Sequence, residues 1–234
     1  MIETVPFASL GRFDNDWLNA RYHFSFSDYY DEARTGIGPL LVWNDDTIAP
    51  GRGFPMHPHR DMEIITYVRS GAVSHQDHLG NRGRTAAGDV QVMSAGIGIM
   101  HAEFNREDGP TTLYQIWIRP NVARVAPRWE QRSFPKGERA GQFVPLASGR
   151  PDDLEQGALK IHQDAAVLGM TLAAGQQASY RLAPARRGYL VLARGRATVN
   201  GTPLGPRDGA MITDVTELTV AAQEESEVLL ADLP

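Results

Sequence analysis

Short apolar runs, each closed by a turn signal, recur from end to end of this 234-residue chain, and helical periodicity is nearly absent. Leu40–Trp43 stops at Asn44-Asp45-Asp46, Glu63–Val68 at Ser70-Gly71, and Ala72–Gln76 near Gly80-Asn81. Val90–Met93 follows Ala87-Gly88-Asp89, and Leu113–Ile118 alternates apolar and polar residues before Pro120. Gly188–Ala193 ends at Arg194-Gly195, and Arg196–Val199 ends at Asn200-Gly201, a dipeptide that favours a type I′ hairpin. Glu217–Ala221 and Ser226–Asp232 complete the series. Many short strands without intervening helices predict an all-β sandwich or jelly roll rather than a parallel βαβ fold. The 23 Gly and 15 Pro supply the turns such a fold needs.

A weak internal repeat divides the chain. Val68-Arg69-Ser70-Gly71-Ala72-Val73 resembles Leu192-Ala193-Arg194-Gly195-Arg196-Ala197, and each is followed by a Gly/Asp turn, Gly88-Asp89 or Asp208-Gly209. Two copies of one β-unit are expected, residues 1–130 and 131–234, with the Pro- and Gly-rich stretch 120–151 connecting them. All four Trp and six of the seven His precede residue 131, so chemistry is expected in the first copy.

Composition narrows that chemistry. The absence of cysteine excludes disulfides, thiolate metal sites and a thiol nucleophile, so any metal rests on His, Asp or Glu. A net charge of −5 gives no electrostatic reason to bind nucleic acid. Neither a signal peptide nor a membrane-length apolar run is evident, so a soluble, cytoplasmic, monomeric protein is the expectation.

His57-Pro58-His59 places two imidazoles on one face of a strand, about 7 Å apart by strand rise, and Pro58 suits an edge. His101-Ala102-Glu103 shares the same i, i+2 parity. Each motif follows a glycine-rich approach, Gly51-Arg52-Gly53 or Gly96-Ile97-Gly98. Three imidazoles and a carboxylate suit a divalent transition metal with open positions. Fe(II) heads the candidates, followed by Zn, Mn, Ni, Co and Cu. Glu63 has the strand parity of His57 and His59, so residue spacing alone leaves Glu63 and Glu103 as alternative fourth ligands. His75 is the expected hydrogen-bond partner for the outer nitrogen of a ligating imidazole. Asn44-Asp45-Asp46 reads as a turn, and His23 and His162 read as structural residues.

With these residues in view, the chain resembles the pirins of the cupin superfamily. The first cupin motif is seen in Gly51, His57, His59, Glu63 and Gly71, and the second in Gly88, Ser94, Gly96, His101 and Asn105. Ser94, where cupins usually have proline, and the long gap to His101 are pirin-like departures. Further resemblance lies in Phe24-Ser25-Phe26, Asp61-Met62-Glu63 and Met93-Ser94-Ala95-Gly96. The resemblance implies a bicupin of two jelly-roll barrels and a metal set of His57, His59, His101 and Glu103. Registering the second copy on the first puts Arg181, Ala183, Arg187 and Ala222 opposite His57, His59, Glu63 and His101, so the C-terminal barrel is expected to hold no metal.

The resemblance also implies quercetin 2,3-dioxygenase activity, with a small aromatic substrate and dioxygen as partners. In that reading Glu103, or Glu63 if it is not a ligand, accepts the proton of the flavonol hydroxyl. The alternative it implies is a metal- or redox-sensing regulator that acts through a protein partner without turnover.

Overall fold

Asn200 and Gly201 both have positive φ, 48° and 81°, and join Ala197–Val199 to Thr202–Leu204 in a two-residue hairpin. The same logic of strand and tight turn runs throughout the computed structural model, which describes residues 1–234. It contains 22 strands and a single α-helix, the five-residue Pro151–Glu155. No helix is long and apolar enough to cross a membrane. The fold is therefore all-β, and it forms two compact units.

The first unit comprises Gly11–Phe134 and Leu159–Gln163. Its larger sheet has the order Arg128–Arg132, Val90–Ser94, Glu63–Ser70, Thr111–Ile118, Leu40–Ile48, Leu18–Tyr22, Gly11–Asp14. Its smaller sheet has the order Gly53–His59, Ile99–Phe104, Ala72–Asp77, Arg82–Ala86. All pairings within it are antiparallel. Register aligns one row of side chains across the larger sheet: Gln91 opposite Thr66, Thr66 opposite Gln115, Gln115 opposite Asn44, and Asn44 opposite Tyr22. Cross-strand partners share a face, so this polar row lies on one side of the sheet. A cluster of Leu18, Ala20, Tyr22, Ile48, Val68, Val73 and Leu113 packs beside it.

The second unit comprises Met1–Leu10, Pro135–Ala158 and Asp164–Pro234. Its interior is apolar: Leu168, Met170, Leu190, Leu192, Val220, Val228 and Leu230 fill it, and Ala222 joins the same cluster. Arg181 and Arg187 are exposed.

Two expectations from the sequence need correction. The chain does not divide once near residue 130. Ile2–Val5 pairs with Gly209–Ile212 in the C-terminal unit, because a strand joins whichever free edge its hydrogen bonds can complete. Leu159–Gln163 returns to the N-terminal unit, where the His162 carbonyl accepts from Asn121 N–H at 2.7 Å and the Gln163 amide donates to the Arg119 carbonyl at 2.8 Å. Nor is Asn44-Asp45-Asp46 a turn. The strand continues through it to Ile48, and all three side chains are buried. Asp45 is held there by an ion pair with Arg69, while Asn44 and Asp46 point to the opposite face by strand alternation.

Candidate metal centre

His57 and His101 are direct cross-strand partners, and His59 lies opposite Ile99. Period-two alternation therefore brings all three imidazoles to one side of the smaller sheet. Ring centroids are 4.4 Å apart for His57–His101, 4.8 Å for His57–His59 and 5.0 Å for His59–His101. One ligand nitrogen from each lies within 4.8 Å of the others. Gly53 permits this pairing. A Cβ there would meet the Glu103 carbonyl oxygen at 2.1 Å and Phe104 Cα at 2.6 Å, both backbone atoms that cannot rotate away.

The outer nitrogens of His57 and His101 are fixed by the protein. His57 Nδ1 donates to the Pro55 carbonyl at 2.7 Å, which leaves Nε2 as its free lone pair. Nδ1 atoms of His101 and His75 are 3.4 Å apart, and His75 Nε2 is 3.1 Å from Asp77 Oδ2. With Asp77 as a carboxylate, His75 donates from Nε2 and accepts at Nδ1, so His101 donates from Nδ1 and presents Nε2. His75 is stacked on Trp129, with centroids 4.7 Å apart and planes 9° from parallel. Asp77 is itself held by N–H donors of Leu79 and Asn81, both at 3.0 Å. His75 thus lies between His101 and Asp77.

Glu103 shares the face of His101 by strand alternation, and its carboxylate is held by the larger sheet. Gln91 Nε2 donates to its Oε1 at 2.5 Å and Gln115 Nε2 to its Oε2 at 2.6 Å, with the Thr66 hydroxyl 3.4 Å from Oε1. Glu103 has a ligand atom within 4.8 Å of those of His101 and His75, not in the group formed with His57 and His59. It nonetheless lines the same cavity as the three histidines.

Glu63 lies elsewhere. The strand parity that links it to His57 is broken at Asp61, where φ is 45° and the chain passes from the smaller sheet to the larger. Its carboxylate accepts from the Ser94 hydroxyl at 2.7 Å and faces His162 Nδ1 at 3.2 Å. His162 is thus tied to Glu63 rather than standing alone.

Burial, reinforced by the neighbouring His57, lowers the pKa of His59 to about 4. Burial and the adjacent His57, His59 and His75 push His101 down further, and burial lowers His75 against the opposing pull of Asp77. These imidazoles are held neutral, the form that binds metal. Burial raises Glu103 to about 7, although the bonds from Gln115, Thr66 and Gln91 favour its charged form. The buried His101 Nε2 has no hydrogen-bond partner, although it points into a cluster of two further ring nitrogens. An orphaned, neutral nitrogen facing two others fits a divalent transition metal of the kind that accepts imidazole and carboxylate donors.

The cavity onto which these groups open has a volume of about 370 Å³. Aromatic side chains, among them Trp17, Phe26, Phe54 and Trp117, form much of its wall. Several polar residues around the site escape a reading of the sequence. Gln91, Gln115 and Asp77 hold the site together, yet each appears in the sequence as one polar residue in a strand. For Gln91 and Gln115 the available signal is a lone amide amid buried apolar neighbours, which demands an internal partner.

Comparison with known proteins agrees with this architecture. The family pattern described as Pirin matches residues 5–118, and that described as Quercetinase C-terminal cupin domain matches residues 146–233. A pirin-like protein of Caulobacter vibrioides is 56% identical over 99% of each chain. The quercetin 2,3-dioxygenase of Escherichia coli K12 is 41% identical, over 96% of this chain and 95% of its own. The crystal structure of the bacterial pirin YhhW from Escherichia coli in complex with nickel(II) superposes with a TM-score of 0.93 at 40% identity, covering 100% of this chain and 99% of that one.

Proposed function

Because the chain belongs to the pirin family and carries two cupin domains, we propose that it is a metal-dependent dioxygenase that cleaves a flavonol such as quercetin. The observation that carries this reading is the convergence of three imidazoles, with His101 Nε2 unpartnered, beside an aromatic-walled cavity. The activity named for the Escherichia coli relative supports it.

In this reading His57, His59 and His101 hold the ion, with Glu103 as the carboxylate donor beside them. Bound there, a divalent ion would acidify a substrate hydroxyl and provide a route to dioxygen, and Fe(II) is the first choice for that chemistry. The chain's own residues perform the rest. The Asp77–His75–His101 chain fixes the His101 ring and its tautomer. Gln91 and Gln115 orient the Glu103 carboxylate toward the cavity, where it accepts the proton of the flavonol 3-hydroxyl. The aromatic wall takes up the flat ring system and excludes water from it.

The test is incubation of the metal-loaded protein with quercetin under air, followed by its visible absorbance. Loss of absorbance that requires both metal and air is expected. No turnover with Fe, Mn, Ni, Co or Cu would overturn the reading.

A further inference from the structure

We propose that Asn44 and Asp46 form a hydroxyl-reading subsite in this cavity, one that selects polyhydroxylated aromatic ligands over unsubstituted ones. The proposal deepens the flavonol reading and rests on it.

Asn44 and Asp46 stand two residues apart on one strand and both line the cavity. They are 4% and 3% exposed, and Asn44 Oδ1 and Asp46 Oδ1 are buried without a hydrogen-bond partner. Buried acceptors are almost always satisfied, because an orphan forfeits its hydration for nothing. The surrounding register explains why these two are not. Asp46 is flanked by Ala20 on one neighbouring strand and Leu113 on the other, and neither side chain carries a donor. Asn44 lies beside Gln115 in the polar row, but the Gln115 amide donates to Glu103 and Thr66. Asp45, on the opposite face of the same strand, has its arginine partner. The two open acceptors are therefore confined to the side that faces the cavity.

Open acceptors call for a ligand with donors. Residues i and i+2 are about 7 Å apart along a strand, so the pair suits two separate hydroxyls rather than a single one. The wall around them includes Phe13, Trp17, Tyr22 and Phe26, which suits a flat aromatic carrier for those hydroxyls. In the flavonol reading the metal centre addresses one hydroxyl of such a molecule, and Asn44 and Asp46 address others on the same skeleton.

The experiment compares quercetin with 3-hydroxyflavone, which keeps the three-ring skeleton and the 3-hydroxyl but lacks hydroxyls on the outer rings. Binding to the zinc-loaded protein is followed by tryptophan fluorescence in the absence of air. The unaltered protein is expected to prefer quercetin by about tenfold or more, the scale of one or two hydrogen bonds. Asn44→Ala and Asp46→Ala should each bring quercetin affinity down toward that of 3-hydroxyflavone, and Asp46→Asn, which keeps an acceptor oxygen, should retain most of the preference. Equal affinity for the two flavonols, binding of neither, or an undiminished preference in both alanine variants would overturn the proposal. The first two outcomes need only the unaltered chain, so a variant that does not fold leaves the test intact. Selective binding without turnover would remove the dioxygenase reading and keep the subsite. Turnover with an undiminished preference in the alanine variants would do the reverse.

Discussion

His75→Phe probes how far the metal centre depends on groups that do not touch the metal. The imidazole joins His101 Nδ1, at 3.4 Å, to Asp77 Oδ2, at 3.1 Å, and lies stacked on Trp129. Phenylalanine retains the volume and the stacking but offers neither acceptor nor donor. Asp77 keeps its bonds from Leu79 N–H and from the backbone and side chain of Asn81, so the loop around it remains satisfied. The loss falls on His101, whose Nδ1–H is left without an acceptor and whose ring is free to rotate. Removal of such a supporting partner weakens metal binding by about 10- to 100-fold, which corresponds to about 1.4–2.7 kcal/mol. Competition for zinc against a chromophoric chelator measures it, with thermal denaturation of the metal-free proteins as the control for folding. Asp77→Asn should weaken binding in the same direction by a smaller factor. Zinc affinity within about twofold of the unaltered protein in a well-folded His75→Phe variant would refute the reasoning.

Glu63→Gln should retain stoichiometric metal while losing about 1–3 kcal/mol of stability, because its charge faces His162 and Ser94; loss of metal on elemental analysis would return Glu63 to the ligand set. Gly53→Ala should lower both the melting temperature and zinc affinity, since the new Cβ would press on the Glu103 backbone at 2.1 Å and force the paired strands apart. Wild-type values for both would contradict the close-approach argument. Burial, then the charges of Asp45 and Glu103, raise the pKa of Asp46 to about 8. The folded chain thus binds a proton that the unfolded chain releases near pH 4, and Asp46's contribution to stability, complete below that pH, is lost as pH rises toward 8. Asp46→Asn has no such titration, so its stability relative to the unaltered protein should rise by about 2–5 kcal/mol between pH 4 and 8, measured by urea denaturation in chelator. A difference that stays flat with pH would show that Asp46 is ionised throughout.

The histidine set is legible in the sequence because strand parity survives wherever the strand is unbroken. His57 and His59 share a face across Pro58, and the edge position that Pro58 implies is where the strand lies. The same parity fails for Glu63, since nothing in Arg60-Asp61-Met62 announces that the chain changes sheets at a positive φ. It holds for Glu103, which shares the face of His101, but parity alone does not reveal that Gln91 and Gln115 hold its carboxylate. Asn44-Asp45-Asp46 has the composition of a turn, yet tertiary context overrides it. Arg69 neutralises Asp45 on one face and the cavity receives Asn44 and Asp46 on the other. The partner of Ile2–Val5 is likewise set by a free edge more than two hundred residues away, at Gly209–Ile212, and local pattern contains no trace of it.

Oxygen uptake with quercetin tests the central claim most directly. An oxygen electrode records consumption by the Fe(II)-loaded protein, with metal content determined on the same sample, beside a His101→Ala variant. The account predicts that quercetin and dioxygen disappear in equal amounts with the unaltered protein. It predicts that the variant neither retains metal nor consumes oxygen, while remaining folded on its large apolar core. Uptake by a metal-free His101→Ala variant at the rate of the unaltered protein, or no uptake by the unaltered protein with any of the ions it binds, would contradict it.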